Sequence, residues 1–454
     1  MAMKSMKYAF CGLGIIISVM LLSGCSRNKV EELKKEKLFS IPIGEGLEEI
    51  GIIRDRNGFF SGPRSALFKN GFFYVVDPVN KKILKITTPG DVILVISYGD
   101  EPEASDQEIL RTKQRRHFHF DEIGQIAVDK ENNIFVENRF IEKLPEKEEI
   151  DLFNPEGISA GGNNEVYMSK ILKFDRLGLY QYSIGKNGRD TDPFYLVYKI
   201  DVDEDGNLLV LTTDDEWETW TYYKYDTDGN LIFRSHLKTE EVYNLEDMEE
   251  TAFFVMDVSP IYDKNQLVFW ISLYSTAYDT KTMKKEEDLW GEEIEIDDPE
   301  KLKEEESRTI EHAGSDLLYY KLLHVDLATK EIVRSFRWED DSGPILEPTE
   351  EFFGIDGETN EFIWKYIDNS RAIISIYRPN GTLVSRRSFI FEEDGIWTNI
   401  RVAVDGSVSA IKVDDERLQF YRWRSDRLIT TTSEKLTLKE FFKDKVQEFK
   451  NANR

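Results

Sequence analysis

The segment IDVDEDGNLLVLT, which starts at Ile200, sets apolar residues at alternate positions on both sides of a polar turn, and the chain repeats this design. The copies are SALFKNGFFYVVD from Ser65, IAVDKENNIFVEN from Ile126, MDVSPIYDKNQLVFW from Met256, FGIDGETNEFIWK from Phe353 and RVAVDGSVSAIKV from Arg401. Alternation with a period of two is the mark of a half-buried strand, so each copy reads as strand, turn, strand. A second hairpin follows each of the first five, with Gly90, Gly178, Gly229 and Gly381 at the turns, where positive φ costs glycine least. The unit is therefore four antiparallel strands. Six units in tandem predict an all-β chain, a six-bladed β-propeller whose radial repetition leaves few strand edges open. The blades fall near 65–99, 123–185, 198–237, 253–338, 352–389 and 399–424.

The aspartates at 201, 203 and 205 also open like a calcium-binding loop of the EF-hand type, but the twelfth position, which must supply a bidentate carboxylate, is Thr212. The flanks alternate as strands and not as helices. The turn reading stands. The sixth unit stops after its third strand, and LFSIPIG, residues 38–44, is similar to the fourth strand of blade two. It is expected to complete blade six and close the ring, so that the propeller spans 38–430. Beyond it, LTLKEFFKDKVQEFK predicts an amphipathic C-terminal helix within 431–454, with Thr437 and Glu440 as a capping box.

The first 24 residues carry Lys4 and Lys7, then an apolar run of signal-peptide length. Leu22, Ser23, Gly24 and Cys25 follow, and here the chain resembles the bacterial lipoproteins, matching their lipobox residue by residue. The resemblance implies cleavage before Cys25, lipid on that cysteine, and a tether over 25–37 that places the protein in the cell envelope, at the outer membrane or its periplasmic face. Cys11 leaves with the signal and Cys25 is acylated, so no thiol is left for a disulfide, a zinc site or a nucleophile. The turns DEDGNLLV and KFDRLG resemble NHL repeats, whose family implies a propeller that binds other macromolecules. The whole layout is similar to propeller lipoproteins of the spirochaete type.

With Lys4 and Lys7 removed, 57 basic residues face 86 acidic ones. Such a surface repels anionic lipid and nucleic-acid phosphates alike, which excludes a nucleic-acid partner. No cofactor motif appears: there is no G-x-S-x-G elbow, His-Glu-x-x-His pair or P-loop.

Every long insertion (100–122, 137–169, 275–316 and 339–351) falls between the second and third strands of a blade or between blades, so one face is rich in loops and is the expected binding face. Candidate contacts there are Trp217, Trp220 and Tyr222 in DDEWETWTYYKY, Trp290 in the acidic insertion, and Arg115 and Arg116 in the basic island RTKQRRHFHF. His117 and His119 of that island lack an identifiable third metal ligand. The sequence thus predicts a monomeric, lipid-anchored binding or scaffold module for a protein or glycan partner. The alternative is a metal-dependent, lactonase-like propeller hydrolase, with Glu122, Glu351 and Asn399 at the channel mouth holding a divalent cation.

Overall fold

The computed structural model describes residues 30–54, 60–63, 65–98, 114–143, 165–185, 188–189, 194–214, 217–242, 251–261, 264–275, 317–338, 350–356, 359–368, 370–391, 395–402 and 407–424. The signal segment, Cys25, Trp290 and the C-terminal helix expected over 431–454 lie outside these residues. The fold is an all-β six-bladed propeller of four-stranded antiparallel sheets. Among the described residues the helical content is one turn, Thr239–Val242.

Two compact units make up the chain. Residues 237–260 and 265–351 form one, which holds the sheet of Thr251–Ile261, Gln266–Ser275, Leu317–Asp326 and Ile332–Trp338, blade four. The other unit holds blades one, two and six and nearly all of blades three and five. In blade one, Ser65–Lys69, Phe72–Asp77, Lys82–Thr87 and Val92–Ser97 pair in order, and Gln114–His117 adds a parallel fifth strand. Blade two is Glu122–Val128, Ile134–Lys143, Glu165–Phe174 and Tyr180–Ile184. Blade three is Leu196–Val202, Leu208–Thr213, Thr219–Tyr225 and Leu231–Lys238. Glu350–Ile355, Glu361–Asp368, Arg371–Tyr377 and Leu383–Ile390 form blade five.

Blade six takes Ile396–Val402, Val408–Val413 and Arg417–Arg424 from the carboxyl side and Lys34–Pro42 from the amino side. This closing strand starts four residues ahead of the expected 38–44, and the chain before it is also strand. Val30–Glu32 lies parallel to Leu383–Ile390 on the edge of blade five, with Val30 opposite Arg386. Most of residues 30–37, expected as tether, is thus built into two blades, and Leu33 between the strands is 4% exposed in the core they share.

Period-two alternation gives each sheet two apolar faces, and neighbouring sheets press these together. Phe39 and Ile41 of the closing strand join Phe73, Leu84 and Phe420 between blades six and one. Phe39 stacks on Phe420 at 4.5 Å and meets Phe73 edge-on at 5.3 Å. Parallel clusters fill the spaces between blades one and two, two and three, and five and six.

The turns carry a signature that explains the aspartates of the opening motif. In Asp129–Asn133, Asp203–Asn207, Asp226–Asn230 and Asp356–Asn360 the aspartate Oδ1 accepts the asparagine backbone N–H at 2.8 Å. The asparagine Nδ2 then donates to Oδ2 at 2.7 to 2.9 Å. An Asp-x-x-x-Asn spacing thus satisfies the turn's own backbone donors. Burial favours protonation of Asp203, but the Lys224 ammonium at 2.8 Å and the Asn207 amide outweigh it and hold the carboxyl below the ordinary aspartate range. The Asn230 amide depresses Asp226 in the same way. Arg371 holds Asp368 at about 2.

Two of the turn glycines meet a second demand. Gly90 has φ +103°, and a Cβ there would lie 2.7 Å from Phe39 Cβ on the closing strand. Gly178 has φ +78°, and its Cβ would lie 2.8 Å from Leu94 on the fourth strand of blade one. The turn between the third and fourth strands of each of these blades nests on the fourth strand of the blade before it.

Gly178→Ala is therefore expected to cost about 2–4 kcal/mol in urea unfolding, against about 1 kcal/mol for Gly71→Ala, which has positive φ and open space. Equal costs would contradict the nesting. A carboxylate depressed in the folded state adds stability above its unfolded pKa and loses it as pH falls through the folded value. The unfolding midpoint should accordingly drop between pH about 4 and about 2. Asp203→Asn should lessen that drop, and a midpoint that rises toward pH 2 would contradict the account.

Candidate functional site

The inner strand of blade two is broken between Ile123 and Ile126 by a bulge. Its cause is Glu137, fully buried on the neighbouring strand, whose Oε2 accepts the Gln125 backbone N–H at 3.1 Å. The Glu137 carboxylate is further held by Arg139 Nε at 2.6 Å and Ser169 Oγ at 3.0 Å, as a buried charge must be. The bulge aims the Gln125 side chain at blade three. There Nε2 donates to the Tyr198 carbonyl at 2.5 Å and the Val197 carbonyl at 3.3 Å, while Oε1 accepts from Ile200 N at 3.3 Å.

Tyr198 sits in the matching irregularity of blade three, between Val197 and Lys199. Its ring meets Trp217 edge-on at 5.4 Å and Trp220 at 5.1 Å, and the two indoles are perpendicular at 5.8 Å. Trp217 lies in the connection between the second and third strands, where Asp214 caps the turn by accepting Glu218 N at 2.7 Å. Its backbone has φ +60°, a left-handed conformation unfavourable for a bulky side chain, yet the ring is 39% exposed. The result is a shelf: a buried Trp220 supports a half-buried Tyr198 and an exposed Trp217.

The structure separates the expected contacts. Trp220 and Tyr222 are both fully buried and are core, not platform, because their strand is covered on both faces: Thr221, Tyr223 and Tyr225 on its other side are buried too. Tyr222 packs on Phe233 at 6.0 Å, and burial pushes its phenol above the ordinary range. Trp217 alone of the three reaches the surface. Arg115 and Arg116 lie on the parallel fifth strand of blade one, and Arg116 Nε donates to the Leu177 carbonyl of blade two at 2.9 Å, which makes it a link between blades. The His117 and His119 rings pack against Tyr98, with centroids at 5.4 and 4.7 Å.

Of the three residues expected at the channel mouth, Asn399 and Glu122 have structural partners. Asn399 Nδ2 donates to the Pro63 carbonyl at 2.8 Å and its Oδ1 accepts Ala66 N at 3.1 Å, so both ends of the amide join blade six to the start of blade one. Like Gln125, it stands in a bulge three positions before the last residue of its inner strand, Val402 for Asn399 and Val128 for Gln125. The Asn399 oxygen proposed as a metal ligand is thus engaged by backbone. Glu122 is 3.9 Å from the Arg139 guanidinium, and Glu351 is exposed at the start of blade five. Among the described residues no group of three or more His, Cys, Asp or Glu side chains converges as a metal site would. The sequence signal for these clamps was a side-chain amide at a fixed distance from the strand end in two repeats.

No family model and no curated protein matches the chain. Among solved structures it is similar to a protein of unknown function from Dyadobacter fermentans, at 11% identity over 86% of this chain and 99% of that one, with a TM-score of 0.37. The β-propeller domain of the Trilobed protease from Pyrococcus furiosus is 10% identical over 88% of this chain and 84% of its own, with a TM-score of 0.31. A luciferin-regenerating enzyme is 10% identical over 87% of this chain and 96% of its own, with a TM-score of 0.35. At these TM-scores none of the likenesses enters the functional argument.

If the amides are clamps, Gln125→Ala and Asn399→Ala should each cost about 1–3 kcal/mol, because both strip partners from buried backbone groups. Calcium should leave the unfolding midpoint of the unaltered chain where it is. A calcium-dependent rise that Asn399→Ala abolishes would restore the metal reading.

Proposed function

We propose that this chain is a lipid-anchored cell-envelope protein whose propeller is a binding module for a protein or glycan partner, and that Trp217 on the loop-rich end of blade three is a principal contact. The observation that carries the reading is the strained, exposed Trp217. A surface residue held at φ +60° costs on the order of 1 kcal/mol, and stability alone would favour Gly or Asn there. An aromatic face set on a rigid aromatic base suits the apolar face of a sugar ring or a planar side chain. The anchoring half of the reading rests on Leu22 to Cys25 and on Val30, where strand begins five residues after the cysteine. No observation favours the hydrolase alternative, since the Asn399 amide is already engaged on both sides.

Two measurements test the two halves. Labelled palmitate should be incorporated by the unaltered chain and lost in Cys25→Ser; label retained in that variant would defeat the anchor. For the binding half, Trp217→Asn should leave the unfolding midpoint unchanged or higher, because Asn tolerates positive φ. The same change should weaken capture of envelope glycans or proteins about five-fold or more, the scale of one aromatic contact. A loss of about 2 kcal/mol in stability with capture unchanged would make Trp217 a packing residue.

A further inference from the structure

The strong acidity of the chain is not spread evenly. The parallel fifth strand of blade one and the fourth strands of blades two to six carry 11 Lys and Arg residues and a single acidic one, Glu36. The concentration is greatest at blade six, whose third and fourth strands Arg417–Arg424 and Lys34–Pro42 hold six basic residues to one acidic one, while the strand Val30–Glu32 on the edge of blade five brings Glu31 and Glu32. Lys34 and Lys37 are exposed, and Arg424, opposite Lys34 in the ladder, has a side chain 36% exposed whose Nε lies 3.4 Å from Glu36.

Basic residues on edge strands also discourage pairing with another sheet, and that role accounts for a scattered Lys or Arg around the rim. It does not account for where the cluster lies. The blade-five and blade-six edge is the part of the fold that the amino-terminal chain reaches first: Val30 is already in the sheet, five residues after Cys25. Five residues extend no further than about 18 Å. A lipid on Cys25 would hold this edge near the headgroups, and a body with 57 basic and 86 acidic residues would be repelled from an anionic surface in most other orientations.

We propose that the outer edge of blade six, through Lys34, Lys37 and Arg424, docks on anionic lipid headgroups and stands the propeller edge-on at the membrane. The proposal takes its geometry from the anchored reading, but the contact is electrostatic and does not require the acyl chains.

The test uses the chain from Ser26 onward, which contains every described strand and has no lipid. It is floated with vesicles of phosphatidylcholine alone or with roughly one part in three of phosphatidylglycerol. Flotation is expected with the anionic vesicles only, and raising salt from about 0.05 to about 0.5 M should release the protein. Lys34→Gln/Lys37→Gln/Arg424→Gln should lower the affinity at least ten-fold. The control Lys69→Gln/Lys81→Gln/Lys264→Gln removes the same charge elsewhere and should leave it unchanged, with circular dichroism showing both variants folded. No flotation of the unaltered chain at low salt, or equal loss in the two variants, would overturn the proposal. The palmitate experiment reads the anchor separately: label present without flotation defeats the surface, and flotation without label defeats only the anchor.

Discussion

The structure depends on one pairing made across the whole length of the chain: Lys34–Pro42 against Arg417–Arg424. Without it, the third strand of blade six would be an open edge, and Phe420 and Phe73, which meet edge-on at 5.3 Å, would lose the Phe39 ring that packs on both. The pairing also supplies the outer strand on which Gly90 of blade one nests, so the first and last blades are joined by backbone hydrogen bonds, aromatic packing and a close turn contact together. The Asn399 amide adds an inner link between the same two blades. A closure of such long range is slow to form and hard to open piecemeal, because each part is held by the others.

Closure has a consequence for the amino terminus. A strand that must seal the ring cannot be a loose leash. From Val30 the chain is fixed, first along blade five and then along blade six, with Leu33 buried between. Anything attached a few residues earlier has its direction of approach set by the fold.

The blades were legible because their signals are local. Alternation, turn glycines and repeat spacing are all read within a dozen residues, and the closing strand was found by its likeness to another fourth strand. What escaped the sequence is set by neighbours. Val30–Glu32 is too short and too charged to alternate, and its place comes from the strand beside it. Trp220 and Tyr222 look like Trp217 in composition, yet they lie on a strand covered on both faces while Trp217 lies in the connection before it. Asn399 carries an amide oxygen of the kind that can ligate a cation, but the bulge turns it toward blade one, and Gln125 turns toward blade three in the same way. Parts of two insertions proved to be sheet: Gln114–His117 extends blade one, and the ladder from Ile134 to Lys143 continues blade two beyond the ordinary strand length.

Amide hydrogen exchange tests the closure most directly. Peptides covering Leu38–Ile41 should exchange as slowly as those covering Leu418–Phe420, since both open only when the ring opens. Rapid exchange across the amino-terminal peptide, with Leu418–Phe420 still protected, would mean that blade six is complete without it and would contradict the account.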